Sequence, residues 1–287
     1  MRIGISSLIF TKMKNGVDIY TFFPEIKKAG FDCIEYSDTN SPSLDEIDQN
    51  KLNNVRKTAQ DYGIEIISVH IPPCQYLNED IGAIDHNIRK NAVNNVKINL
   101  TNANILGAEY VILHPGGVGE NLENTKILTM VKECFNDSLL ELAEAARDLQ
   151  IQILIENTMG IWGGDIEEIK RIIKTTGNNC GFCLDVGHCW LEDRDPVKII
   201  SESSAILKYL HIHDNNTDKD AHLVPGEGTI PWAAVLKALD DINYSGIFMF
   251  ECVFSQRCSN FEAILDHVNS FRKNHVESIA FNKHQSA

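Results

Sequence analysis

Eight short runs of apolar and β-branched residues recur along the chain, each opened by a glycine or a polar turn and separated from the next by a longer segment. They are RIGIS, CIEYS, IEIISVH, YVILHPGG, IQILIEN, GFCLDVGH, YLHIHD and GIFMFEC, beginning at residues 2, 33, 64, 110, 151, 181, 209 and 246. Short continuous apolar runs are characteristic of strands buried on both faces, as in a parallel sheet. Segments of helical period over residues 44–61, 87–106, 126–149, 166–174, 232–240 and 261–273 supply the crossovers that parallel strands require. The connections after the first and sixth runs lack so clear a period. Strand–helix alternation over one undivided chain predicts an α/β fold, and eight units predict closure into a (β/α)8 TIM barrel. The expected organisation is one barrel domain over residues 1–274 and a frayed tail over 275–287.

A chain of 287 residues with 43% hydrophobic content can bury a large core. No apolar run approaches the ~20 residues that cross a bilayer, and MRIGISSLIF lacks the basic start and cleavage site of a secretory signal. A cytoplasmic location and no membrane partner are therefore expected. The eight cysteines are scattered and read as reduced thiols; Cys180 and Cys183 form a CxxC without a second pair, inside a strand-like run. A net charge of −14 argues against a nucleic-acid partner, although a local basic groove could survive in an acidic protein.

The strand ends carry the chemistry. His70, His114, Glu156, Asp185, His211 and Glu251 fall at or near the ends of the third to eighth runs. In a TIM barrel these ends form one rim, so six groups of metal-ligating or acid/base type converge on a single mouth. Any one alone is more often a hydrogen-bonded structural residue; their recurrence at successive strand ends is the informative signal. Glu156, Asp185, His211 and Glu251 combine three carboxylates with one imidazole. Such an oxygen-rich set suits Mn²⁺, Co²⁺, Zn²⁺ or Mg²⁺ and leaves positions open for substrate oxygens.

The window LHIHDNNTDKDAHLVPGEGTIPW adds a D-x-H pair, Asp220 and His222. Its Gly226 and Gly228 permit a tight turn, Thr229 can cap a helix, Pro231 fits the first turn, and the turn amides could hold a phosphate. Trp162, Trp190 and Trp232 follow rim strands and could wall a pocket for a sugar ring.

The runs SVHIPP, LHPGG, LIENT, CLDVGHCWL, LHIHDN, DAHLVPGEGTIPW and FECVF resemble those of the xylose isomerase-like barrel superfamily. That superfamily includes sugar and sugar-phosphate isomerases and epimerases, inosose-processing enzymes and endonuclease IV. The resemblance runs from the first strand to the eighth and is specific at the rim. It implies one divalent metal held by Glu156, Asp185, His211 and Glu251, a substrate contact from His188, and dimers or tetramers; no organic cofactor is expected. His70 and His114 stand beside that set as substrate-binding residues or further ligands. Endonuclease IV carries a trinuclear zinc site at positions resembling His70, His114, Glu156, Asp185, His188, His211, Asp220, His222 and Glu251, and all nine residue types are present. His213 receives no ligand role and is expected to be structural or supporting.

Two functions follow. The first is metal-dependent isomerisation or epimerisation of a small sugar, sugar phosphate or polyol, by proton transfer through a metal-stabilised enediolate with Glu156 and Glu251 as acid and base. The alternative is hydrolysis of abasic DNA by three zinc ions, with Tyr76 and Leu77 as intercalating side chains; Glu79, Asp80 and the few basic rim residues speak against it. A non-catalytic sugar-binding barrel, or a dehydratase or lyase on the same scaffold, shares the remaining ground.

Overall fold

The structure, a computed structural model, describes residues 1–10, 19–37, 48–71, 80–177, 179–253 and 261–276. Eight strands, β1 (Arg2–Ser6), β2 (Cys33–Ser37), β3 (Glu65–His70), β4 (Tyr110–Leu113), β5 (Gln152–Glu156), β6 (Cys180–Asp185), β7 (Leu207–Ile212) and β8 (Ile247–Phe250), pair in parallel and in sequence order. β8 pairs back onto β1, so the expected (β/α)8 barrel is closed.

The helices are α1 (Phe23–Lys28), α2 (Gln49–Asp61), α3 (His86–Leu106), α4 (Thr125–Asp148), α5 (Gly160–Gly163), α6 (Ile166–Thr175), α7 (Val186–Leu191), α8 (Pro196–Ser203), α9 (Trp232–Asp241) and α10 (Phe261–Phe271). Local chemistry fixes many of their starts: the side chains of Asp48, Asp85, Asn124, Asp165, Asp185 and Asp195 accept from first-turn amides of α2, α3, α4, α6, α7 and α8. The two indistinct connections are broken ones. Two 3₁₀ turns precede the short α1 after β1, and the pair α7–α8 follows β6. Residues 44–47 of the second helical segment, Tyr76, Leu77, Glu79, Cys74 and Cys258, and the tail from 277 onward lie outside the described residues.

Strand side chains alternate between faces. Outward residues such as Leu210 and Ile212 of β7 join the core beneath the helices, whereas Cys33, Ile67, Ile112, Leu154, Cys183, Tyr209, Ile247 and Met249 pack together inside the barrel. Two residues further along the chain from members of this plug come Glu35, His114, Glu156, Asp185, His211 and Glu251. The polar mouth is thus one pleat above an apolar floor. On β3 a register shift sets Ile34 against Ile66 but Glu35 against Ser68, which brings Ser68 to the Glu35 carboxylate.

Several local expectations need correction. Trp162 is 1% exposed, edge-on to Phe135 with the Lys132 ammonium over its ring, so it is core packing between helices and not a pocket wall. Thr229 caps no helix: its hydroxyl accepts from Trp190 Nε1 at 2.9 Å and donates to the Asn215 carbonyl, while Pro231 occupies the N-cap position of α9. Asp80 is no surface charge but fully buried, accepting from the amides of Gly82, Gly117 and Val118. Cys180 and Cys183 form no disulfide; burial pushes the Cys180 thiol up to about 11, and Cys183 is pushed up as well, so both stay protonated thiols. Among the described residues no helix is long and apolar enough to cross a membrane.

Candidate active site and metal centre

All six rim residues meet at the mouth. One ligand atom from each of Glu156, Asp185, His211 and Glu251 lies within 4.8 Å of the others, and the four residues are at most 2% exposed. His211 Nδ1 is 3.2 Å from Glu156 Oε1 and 3.7 Å from Glu251 Oε2. Yet His211 Nδ1 and Glu156 Oε1 are both buried without a hydrogen-bond partner. Two close, buried, unbonded ligand atoms aimed at a common point are what an electropositive occupant would satisfy.

Two further convergences flank this one. His70 Nε2 and His114 Nε2 stand 3.0 Å apart, at 3.2 and 3.0 Å from Glu156 Oε2. Glu156 therefore offers one oxygen to each of two neighbouring sets. Beyond β7, Asp220 Oδ2 lies 3.3 Å from His188 Nε2 and 3.2 Å from His222 Nε2. The Nδ1 atoms of these two histidines contact the carbonyls of Asn157 and Glu251 at 3.0 and 2.9 Å. A carbonyl only accepts, so each Nδ1 carries a proton and each Nε2 turns its lone pair toward Asp220 in the neutral tautomer. Three electron-rich atoms at such distances require a cation among them, either protons on the imidazoles or a metal.

The electrostatics follow the same logic. Burial disfavours charge on His211, but the carboxylates of Glu251, Glu35 and Glu156 outweigh it and hold the imidazole well above its usual range. Burial would raise Glu156, yet His211, His114 and His70 hold it well below the carboxylate range; Glu251 is lowered in the same way, chiefly by His211 and His70. For His222 the contacts to Asp220 and Glu251 overcome burial and raise it to about 9. His114 goes the other way, its burial dominating. Protons on imidazoles thus offset the buried anions, and a divalent cation would displace them.

Supporting residues complete the mouth. His213 Nε2 contacts Asp185 Oδ2 at 3.0 Å, its ring stacks on His222 at 4.0 Å, and a Cβ on Gly187 would come within 2.0 Å of it, so glycine is needed there for the ring to fit. Asp214, fully buried, accepts from the amides of Asn215, Gly226 and Ile230 and from Trp232 Nε1, closing the base of the loop that carries Asp220 and His222. Trp232 is spoken for by that bond. Trp190 is half-buried beside the same loop.

Glu35, absent from the sequence-based set, is a further carboxylate at the mouth. It is fully buried, with Oε2 3.1 Å from His211 Nε2. A lone glutamate between apolar neighbours in CIEYS was the available signal, because a strand buried on both faces holds a charge only where partners await it.

The chain is similar to several known proteins. An inosose dehydratase of Clostridium botulinum is 27% identical over 131 residues, 39% of this chain and 44% of that protein. A probable endonuclease 4 of Thermoplasma acidophilum is 24% identical over 196 residues, 63% of this chain and 64% of that protein. The crystal structure of a D-tagatose 3-epimerase-like protein superposes with a TM-score of 0.81 at 24% identity, covering 98% of this chain and 99% of that one. The model of the xylose isomerase-like TIM barrel family matches residues 23–274. With that match over most of its length, the chain belongs to the xylose isomerase-like TIM barrel family.

Proposed function

We propose that the protein is a metal-dependent isomerase or epimerase of a small sugar, sugar phosphate or polyol. The carrying observation is the pair of buried carboxylates, Glu156 and Glu251, whose oxygens approach His211 Nδ1 from β5 and from the end of β8. Asp185 and His211 lie between them around the barrel, so the glutamates flank one point from different sides. A divalent cation held by Glu156, Asp185, His211 and Glu251 would polarise a carbonyl and lower the pKa of the neighbouring carbon-bound proton. One glutamate then takes that proton and the other returns one; removal and return on opposite faces give epimerisation. His70, His114 and His188 border the same space and can hold substrate hydroxyls, and Trp190 stands behind the β7–α9 loop. The epimerase-like fold and the inosose dehydratase relative support a sugar-like substrate.

A second reading is favoured by the three convergences of donors, with Glu156 shared between two of them: a trinuclear phosphodiesterase acting on abasic DNA. The net charge of −14 weighs against it, since DNA affinity draws on phosphate contacts. Metal counting on protein purified without chelator, together with assays on a ketose panel and an abasic duplex, decides between them. One tightly bound metal and ketose turnover that vanishes in chelator and returns with Mn²⁺, Co²⁺ or Zn²⁺ are expected. Full turnover by demonstrably metal-free protein excludes the mechanism; three metals and abasic-site cleavage establish the second reading.

A further inference from the structure

Where the mouth meets the apolar plug lies a polar network, of which the two readings use only His211. Glu35 Oε2 is contacted by His211 Nε2 at 3.1 Å, Tyr209 Oη at 3.0 Å and Ser68 Oγ at 3.1 Å, and the two hydroxyls stand 2.6 Å from each other. Glu35, Ser68, Tyr209 and His211 are all fully buried, so no bulk water serves them. Hydrogens can be counted here. Two hydroxyls have two hydrogens for three contacts, and their mutual approach at 2.6 Å consumes one. A single hydroxyl hydrogen is left for the carboxylate, and His211 must supply its other donor. If the imidazole proton moved to Nδ1, a bare nitrogen would face a buried carboxylate oxygen.

We propose that Glu35 is a positioning residue: by accepting Nε2–H of His211 it fixes the tautomer that leaves Nδ1 bare toward Glu156 and Glu251, and so sets the affinity of the mouth for its metal. The inference rests on the metal-centre reading. Carboxylate partners of this kind orient a ligating imidazole and raise its basicity, and their loss typically weakens metal binding by roughly 10–100-fold. Glu35 also joins β2 to β7 across the barrel, which holds the His211 ring in place as well as its proton.

The test uses the full chain, labelled with ¹⁵N-histidine and loaded with ¹¹³Cd²⁺, with His211 assigned through the signal missing from His211→Gln. Wild type should show one-bond cadmium–nitrogen coupling at Nδ1 of His211. In Glu35→Gln the carboxamide can turn its NH₂ toward Nε2, which drives the proton to Nδ1; the cadmium dissociation constant should rise about 10–100-fold. Tyr209→Phe removes a hydroxyl but keeps the carboxylate, and should leave the coupling on Nδ1. A packing defect alone would lower thermal stability without moving the proton. Coupling at Nε2 in wild type, or unchanged cadmium affinity in folded Glu35→Gln, overturns the proposal. Should wild type take up no cadmium, the metal-centre reading fails by itself. The His211 tautomer of metal-free protein at alkaline pH then decides the role of Glu35: a proton on Nε2 supports it and a proton on Nδ1 refutes it.

Discussion

The donors at strand ends and the donors on the β7–α9 loop are built differently. Glu156, Asp185 and His211 belong to strands locked by the barrel's hydrogen-bond ladder and are fully buried. Asp220 and His222 have side chains 26% and 18% exposed and sit in a loop whose base is closed by Asp214. His222 itself adopts a left-handed backbone, φ 44°, and its neighbour Leu223 pairs with Asp214 through both backbone groups. The ladder fixes the first set, while the second is held by the Asp214 carboxylate, the Asp214–Leu223 backbone pair and the bond from Val253 N–H to the His222 carbonyl. The strand set is accordingly suited to reaction steps that demand fixed geometry, and the loop set to tuning the site around them.

The sharpest way to break this contrast is Glu156→Gln. Glu156 borders two donor sets and, under the isomerase reading, transfers a proton, so turnover should fall by roughly 10²–10⁴-fold in a folded barrel. Ketose-panel kinetics alongside circular dichroism check it, and near-normal turnover would remove Glu156 from the mechanism. Next comes the paired replacement of Asp220 and His222 by Ala. Under the isomerase reading kcat/KM drops roughly 10–100-fold while the metal on the strand-end set remains bound, as elemental analysis would record. Loss of that metal would erase the distinction between the two regions.

Asp214→Asn should act more gently. It removes a charge that satisfies three amides and an indole, costing about 1–3 kcal/mol of stability in denaturant titrations and raising KM, with strand-end metal affinity unchanged.

The smallest effect is graded with pH. Asp220 and Glu251 hold His222 at about 9 in the folded protein against an ordinary 6.5, so its charge stabilises the metal-free fold below 6.5. That contribution fades as pH rises through about 9. Metal affinity should climb over the same interval, because ligation requires the protons to leave. Thermal unfolding of chelated protein and metal titrations across that range should move in opposite directions; parallel movement would contradict the protonated loop set.

Much of this was legible in the sequence because both barrel and mouth obey a period of two. Leu154 and Glu156, Cys183 and Asp185, Tyr209 and His211 are each one pleat apart, so strand ends could be read as one ring once eight strands were recognised. Glu35 obeys the same rule from Cys33, but it lies in the middle of CIEYS, where a pattern of strand-end residues does not reach. Trp162 resembled a rim aromatic by its place after β5; its burial against Phe135 depends on α4 and could not be seen locally. Asp80 reads as a loop charge in the sequence; its burial depends on amides of residues 117 and 118, far along the chain.

The sequence by itself determined the eight-unit barrel and the strand-end donors, because these depend on local propensity and on periodicity along one segment. Only the tertiary structure decided that Glu35 faces His211, that Glu156 serves two donor sets and that Asp214 closes the loop of Asp220 and His222. The physical reason is that a buried charge is stabilised by partners brought close through chain closure, and their separation in sequence carries no trace of their separation in space.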